Sequence, residues 1–364
     1  MNFKSPVRWA CAAVLSASLG TPAAAATFIA TPDTAAALLK TIGSGDTLQF
    51  IGSFGTLRML DRSFTKTVTL DLTKASFNNT LNLSRINNLK VIGGRFDVTA
   101  GSIYSRAAVV YGGNNISFDK TVVVGTAGQI GISFAGTSHA TVSNGRFDGL
   151  QVGVAFGSVT GGIALKNRIT HAVSDGIDIA DSHHVTASFN TCSLGTPGVG
   201  VHPDCIQLWS NPGQPLQSDN IITRNTATGP TQGFTSFSAG GGGLRLQITR
   251  NIVSTSFPQG IACYECVDSI ITYNTLTTLP GSQYLTNLSV VGGSGNTMLG
   301  NVIHQFPVVI KPKAKAGAQI AAQSASSAAV TVPEPSSWTM LIVGFAAVGV
   351  ARRRATGQAS VSLA

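Results

Sequence analysis

Short runs in which apolar positions alternate with small or polar ones recur along the middle of the chain: IGISFAG, VGVAFGS, DGIDIAD, DCIQLWS, QGFTSFS and QGIACYE. Anchored on the residue before the first central apolar position, they start at Gly131, Gly153, Gly176, Cys205, Gly233 and Gly260. Alternation of period two over so few residues predicts a short strand in each. A second set runs in phase with the first: VSNGRFDG, LKNRITHA, SFNTCSLG, TRNTATGP, TRNIVSTS, TYNTLTTL and LGNVIHQF. Their asparagines are Asn144, Asn167, Asn190, Asn225, Asn251, Asn274 and Asn301, at steps of 23, 23, 35, 26, 23 and 27 residues. Strands every 22 to 35 residues, with no helical pattern between them, exclude βαβ units. The period is that of a solenoid, and Gly/Asn turns point to a parallel β-helix. The spacing is far too long for a hexapeptide-type left-handed helix. Asparagine suits a turn residue of left-handed conformation, and a stack of them at one corner can hydrogen-bond from coil to coil. A structural role is therefore expected for all seven.

Strand parity assigns the outward side chains. Ile177, Ile179, Ile206 and Leu208 face the core. One outward column runs Ser133, Ala155, Asp178, Gln207, Thr235, Ala262, and a second runs Gly157, Ala180, Trp209, Phe237, Tyr264. Trp209, Phe237 and Tyr264 would form an aromatic stripe on three successive coils, suited to the apolar faces of sugar rings. The competing expectation is that a loop covers them, the long insert at 193–201 being the candidate.

Ionisable residues gather beside this stripe. Asp175, Asp178, Asp181, His183 and His184 come from one coil; His202, Asp204 and Gln207 come from the next. Hydrolysis of a glycoside needs two carboxyl groups about 5 to 9.5 Å apart, and Asp178 with Asp175 or Asp204 could supply them. Lyase or epimerase chemistry on a uronic acid needs a base, for which His202 tuned by Asp204 is the candidate. The catalytic candidates are thus Asp178, His202, Asp204 and Asp175, and the substrate-binding candidates Gln207, Trp209, Phe237 and Tyr264. No cofactor is expected; calcium is the one ion that the aspartates suit. The plainer account is that Asp before Gly is turn chemistry and that the histidines are loop residues.

Near the start of the body, TPDTAAALLKTIG predicts a short capping helix begun by Thr31 or Asp33 and ended by Gly43. A terminal coil needs such a cover, because it exposes core and strand edge.

The 364-residue chain carries a formal charge of +9, which would suit a nucleic-acid or membrane partner. Its distribution argues otherwise: residues 27–310 hold 16 Lys+Arg against 14 Asp+Glu, a balance of +2. The excess lies in Lys4, Arg8, Lys311, Lys313, Lys315 and Arg352 to Arg354, so no nucleic-acid partner is expected. Two cations, an apolar run and Ala24-Ala25-Ala26 read as a secretory signal peptide over residues 1–26. Four cysteines remain after it, Cys192, Cys205, Cys263 and Cys266, with three ways to pair. Cys263 and Cys266 could close a tight loop, leaving Cys192 with Cys205. A lone CxxC cannot build a four-ligand zinc site.

The far end reads VPEPSSWTMLIVGF and, shortly after, VGVARRR. The apolar part, Trp338 to Ala351, is 14 residues, short of the roughly 20 that a stable span needs. This segment resembles the PEP-CTERM sorting signal of Gram-negative bacteria. The resemblance implies an exosortase that recognises Pro333, Glu334 and Pro335, transient membrane contact through a short hydrophobic helix stopped by Arg352, Arg353 and Arg354, and a location in the envelope, on the surface or in the matrix. The tail ATGQASVSLA departs from the pattern, which normally stops at the arginines. The body resembles right-handed parallel β-helix repeat proteins, the architecture of pectate lyases, polygalacturonases, mannuronan epimerases and phage tailspikes, over roughly residues 45–310 and without a family-defining catalytic motif.

The expected organisation is a signal peptide (1–26), an all-β right-handed parallel β-helix (27–310), an Ala/Ser-rich linker (311–332), the sorting signal (333–354) and a tail (355–364). The expected function is action on a polysaccharide as a lyase, epimerase or hydrolase. The alternatives are a non-catalytic exopolysaccharide-binding or matrix protein, and an adhesin or assembly scaffold whose partner buries the stripe.

Overall fold

The computed structural model describes residues 25–195, 202–237 and 241–306. Of the expected segments, the signal peptide up to residue 24, most of the 193–201 insert, the linker, the sorting signal with the short helix expected in it, and the tail lie outside them.

The described residues form a parallel β-solenoid of about 11 turns. Each regular coil contributes one strand to each of three sheets. The first sheet stacks strands of up to six residues, such as Asp175–Ala180, Asp204–Trp209 and Gln232–Ser236. The second and third use shorter strands, such as Thr186–Ser188 and Thr191–Ser193. Register along the first sheet is continuous: Ser133, Ala155, Asp178, Gln207, Thr235 and Ala262 lie side by side in that order. The outward column that parity predicts is therefore present. The earliest coils differ, with strands Leu57–Phe77 and Leu81–Asp97 running on through the corners.

Inward positions make one continuous core. In the N-terminal half it is a phenylalanine stack, with Phe54, Phe77 and Phe96 at centroid spacings of 5.3 and 4.5 Å, and Phe134 on Phe156 at 5.5 Å. Further on, Ile177, Ile179, Ile206, Leu208, Ile222 and Ile248 take over, all fully buried. Each such side chain contributes about 1.5–3 kcal/mol relative to exposure. Two disulfides join the core, Cys192–Cys205 and Cys263–Cys266. Gly176 sits under the first; a Cβ there would come within 2.6 Å of the Cys205 carbonyl and 2.8 Å of the Cys192 sulfur. Only glycine fits that approach.

The asparagines form the expected ladder, but not all of them and not for the expected reason. Asn167, Asn190, Asn225, Asn251, Asn274 and Asn301 are in register at the corner between the second and third sheets. Each Nδ2 reaches back to a carbonyl of the coil before, as Asn225 does to Ala187 O at 2.9 Å. From Asn190 onward each Oδ1 accepts the backbone N–H and Nδ2 of the preceding asparagine, while Asn167 Oδ1 accepts the Gly145 N–H at 2.9 Å. The left-handed residue is the one before: Lys166, Phe189, Arg224, Arg250 and Tyr273 have φ of 54–57°. Asn144 is itself left-handed, at φ 54°, and stands outside the ladder, donating to Asp119 instead. The ladder satisfies corner groups that would otherwise be buried unpaired, which holds an unfavourable backbone in place.

The short helix is present as Ala35–Thr41, with Ala35 and Leu39 buried against the first coils. Its N-cap is Thr34, without a side-chain cap bond; neither Thr31 nor Asp33 caps it. Thr31 contributes its carbonyl instead, accepting the Ala35 N–H at 2.9 Å. The Arg62 guanidinium donates to the carbonyls of Lys40 and Ile42, tying the helix end down. Among the described residues no helix is long and apolar enough to cross a membrane.

Candidate functional site

The 35-residue step between Asn190 and Asn225 is where the coil is enlarged, by the segment ahead of Asp204 and by a second loop after Trp209. The first-sheet strands on either side, Asp175–Ala180 and Asp204–Trp209, are paired so that Asp175 lies beside Asp204 and Asp178 beside Gln207. The Cβ direction of Gly176 points at the buried Cys192 sulfur, so Asp175, the residue before it, faces away from the core. Three carboxyl groups thus meet on the outer face of the first sheet, drawn from two adjacent rungs.

Their partners are specific. The Trp209 indole N–H donates to Asp178 Oδ1 at 2.8 Å. The Asp204 backbone N–H donates to Asp175 Oδ1 at 3.1 Å, and Ser174 Oγ to its Oδ2 at 2.9 Å. Asp204 accepts Thr235 Oγ1 at 3.0 Å on one oxygen and faces His202 Nδ1 at 3.3 Å on the other. All three aspartates are buried, and Gln207, in register with Asp178, is buried too.

Burial in low dielectric penalises the charged form of each carboxyl. It pushes Asp178 up to about 7, against the Trp209 hydrogen bond and with help from the Asp204 charge. Asp175 goes well above the usual carboxylate range through burial, then through Asp178 and Asp204. Asp204 is raised by burial but pulled back by His202 and Thr235. Within the cluster, Asp204 alone has a histidine beside it to favour its charged form, while burial and the two neighbouring carboxyls all act against charge on Asp175. Among the described residues, no Lys or Arg contributes to any of the three. Among the described residues, no three His, Cys, Asp or Glu side chains converge to hold a metal ion.

The aromatic column departs from an open stripe. Trp209 follows Ala180 in register, but its indole folds back over Asp178 and is only 2% exposed. The bond to a buried carboxyl outweighs exposure, because both partners would otherwise be unsatisfied. Phe237 and Tyr264 are half-buried and stack at 5.3 Å, with the His202 ring 6.1 Å from Phe237. The structure therefore gathers Asp175, Asp178, His202, Asp204, Gln207, Trp209, Phe237 and Tyr264 into one region.

Asp181, His183 and His184 diverge from it. Asp181 accepts the Asn211 backbone N–H at 2.7 Å, and His183 Nδ1 pairs with Ser218 Oγ at 3.0 Å, both at the corner leading to the second sheet. The sorting-signal residues Pro333, Glu334, Pro335 and Arg352 to Arg354 lie outside the described residues.

Two members escaped the sequence reading. Gln232 lies beside Asp204, and the same offset puts Gln259 at that place one coil on. The buried Oε1 of each has no hydrogen-bond partner. The signal was available: SDG, PDC, TQG and PQG occupy one repeat position.

Comparison with known proteins bears on the scaffold. The family model described as the right handed beta helix region matches residues 79–242, and the PEP-CTERM protein-sorting motif matches residues 331–355. A search of curated proteins gave no match. Among solved structures, the chain is similar to an alginate lyase from Paenibacillus sp. str. FPU-7, at 14% identity and a TM-score of 0.55 over 76% of this chain and 99% of that one. It is also similar to the Dettilon tailspike protein, at 16% identity and a TM-score of 0.50 over 75% of this chain and 61% of that one. At such identity the likeness is one of fold. The sorting motif marks an exported protein of the cell surface. Three stacked parallel sheets, the coil-to-coil ladder and these matches fit a right-handed parallel β-helix that carries a PEP-CTERM sorting motif.

Proposed function

We propose that this chain acts on a polysaccharide through an acid–base centre built from Asp178, Asp204 and His202. The observation that carries the reading is the meeting of three buried carboxyls, one of them raised to about 7, beside a histidine and a pair of half-buried aromatics. Asp178 gives its proton to the leaving glycosidic oxygen. Asp204, steadied by His202 and Thr235, takes a proton from the attacking water. Asp175 positions Asp204 by accepting its backbone N–H, and Gln207 orients the sugar. Phe237 and Tyr264 stack against a sugar ring, and Trp209 must swing off Asp178 to admit the linkage. Hydrolysis fits this charge arrangement better than elimination, because among the described residues no Lys or Arg acts on the three carboxyls that a uronate would meet. An exosortase of a Gram-negative inner membrane would act at Pro333-Glu334-Pro335 while the short apolar segment holds the chain to the membrane.

The test is incubation with a panel of neutral and acidic polysaccharides, read for reducing ends and for ultraviolet-absorbing unsaturated products. New reducing ends without unsaturation support hydrolysis; unsaturated products move the chemistry to a lyase. Asp178→Asn and His202→Ala should each lower turnover by about 10²–10⁴-fold with folding intact. Burial of all three carboxyls favours one other reading, a non-catalytic glycan-binding or matrix protein. Glycan retention with no turnover of any polymer would establish that reading in place of the enzyme.

A further inference from the structure

The charges of the solenoid are sorted by face. Between residues 112 and 306 the cations are Lys120, Arg146, Lys166, Arg168, Arg224 and Arg250, together with Arg245. Arg245 sits at the corner between the first and second sheets, paired with Asp219 at 2.6 Å. The other six all lie at the corner between the second and third sheets, or on the first outward position after it, and all six are exposed. Most of the acids lie elsewhere: Asp175, Asp178 and Asp204 on the first sheet, and Asp181, Asp219, Glu265 and Asp268 around the corner after it.

The register turns this sorting into a line. Lys120, Lys166, Arg224 and Arg250 hold the same left-handed corner position on different coils, with Asn144, Phe189 and Tyr273 filling the coils between and beyond. Arg146 and Arg168 are direct neighbours on adjacent rungs of the third sheet. From the coil of Lys120 to that of Arg250 are five rung steps, about 24 Å at ~4.8 Å each. Like charges facing each other across two strands destabilise them. None of the six cations forms an ion pair among the described residues. Two carboxylates lie nearby, each with its hydrogen bonds made elsewhere: Asp119 accepts Ser143 and Asn144 and is only favoured at a distance by Lys120, and Asp148 accepts Thr170 and His171. Two exposed aromatics join the row. The Arg224 guanidinium lies 5.4 Å over the Phe189 ring, and Tyr273 is 54% exposed.

We infer that this corner is a binding ridge for a linear acidic polysaccharide laid along the solenoid axis. Charge complementarity selects a polyanion, and a cation or aromatic on most rungs matches a polymer with one sugar per rung. Phe189 and Tyr273 offer stacking faces, which favour a glycan over a bare phosphate chain. Export to the cell surface puts the ridge where such polymers lie. The ridge is separate from the acid centre, and its occupancy is read without turnover.

The experiment is affinity electrophoresis of the purified full-length protein through gels containing polygalacturonate, neutral dextran or single-stranded DNA. Retardation by polygalacturonate, weakened by raising the salt from 50 to 500 mM and absent in dextran, is expected. Arg146→Glu/Arg168→Glu and Arg224→Glu/Arg250→Glu should each weaken retention at least about tenfold, since each reversal replaces an attraction with a repulsion. The matched control is Arg58→Glu/Lys66→Glu, two exposed cations of the early strand Leu57–Phe77 with the same change of net charge but off the ridge, and it should weaken retention less than about threefold. Equal loss in control and ridge variants, or retention by dextran as strong as by polygalacturonate, would overturn the ridge. DNA retained as tightly as polygalacturonate would overturn its assignment to glycan.

Discussion

Replacing Asn225 by Ala removes one rung of the corner ladder and should be among the costliest single changes in the molecule. Asn225 is fully buried and its side chain makes four hydrogen bonds. Its Oδ1 accepts the Asn190 backbone N–H at 2.9 Å and Asn190 Nδ2 at 3.0 Å. Its Nδ2 donates to Ala187 O at 2.9 Å and to Asn251 Oδ1 at 3.1 Å. In the alanine variant the Asn190 backbone N–H and one Nδ2 hydrogen lose their acceptor in a buried corner that has no other. Each buried orphan costs about 1–3 kcal/mol, so the loss should be ~3–5 kcal/mol once the lost side-chain packing is included. Urea unfolding followed by far-ultraviolet circular dichroism reads the total. Hydrogen exchange at the Asn190 amide reads the local opening, which matters because a solenoid unfolds in pieces. Asn144→Ala is the internal comparison. It changes the same residue type in the same kind of segment, but Asn144 is exposed and off the ladder, so it should cost roughly 1 kcal/mol for the left-handed backbone. If Asn225→Ala lies within 1 kcal/mol of the parent chain, or costs no more than Asn144→Ala, the ladder does not hold the corner together.

Burial lifts Asp178 from 3.8 to about 7 and raises Asp175 and Asp204 as well, so the folded chain binds more protons than the unfolded one across that window. Stability should therefore fall as pH rises from about 4 to 7, and Asp178→Asn should flatten the slope of urea midpoints against pH. The Trp209 hydrogen bond lowers the Asp178 pKa, so Trp209→Phe should move the alkaline limb of any hydrolytic pH–rate profile to higher pH; an unmoved limb would take the proton-donor role from Asp178. Cys192 and Cys205 lie 13 residues apart, and replacing both with Ala should cost about 2–3 kcal/mol in thermal or urea unfolding. An unchanged midpoint would show that the enlarged coil is held by other contacts.

The sequence carried a good part of the site because a parallel solenoid converts sequence period into spatial neighbourhood. Asp178 beside Gln207, and Gln207 beside Thr235, follow from aligning DGIDIA, DCIQLW and QGFTS, and the observed register is the aligned one. Alignment also put Asp175 level with Asp204, but it left open whether they turned outward together. It could not say that Trp209 would fold back over Asp178, since parity gives a side chain its face and not its rotamer. Nor could it separate Asn144 from Asn167, because both stand in an Asn-containing turn and only the ladder shows which of them is in register.

By itself, then, the chain's repeat determined the three-sheeted coil, the core-facing apolar positions and the columns that share an outer face, because each depends only on period and parity. Tertiary structure decided what those columns became. It buried three carboxyls together, closed an indole over one of them, left the left-handed strain on the residue before each ladder asparagine, and drew the cations into one line. Those outcomes depend on which coil covers which and on the low dielectric that results, and neither is written in any single repeat.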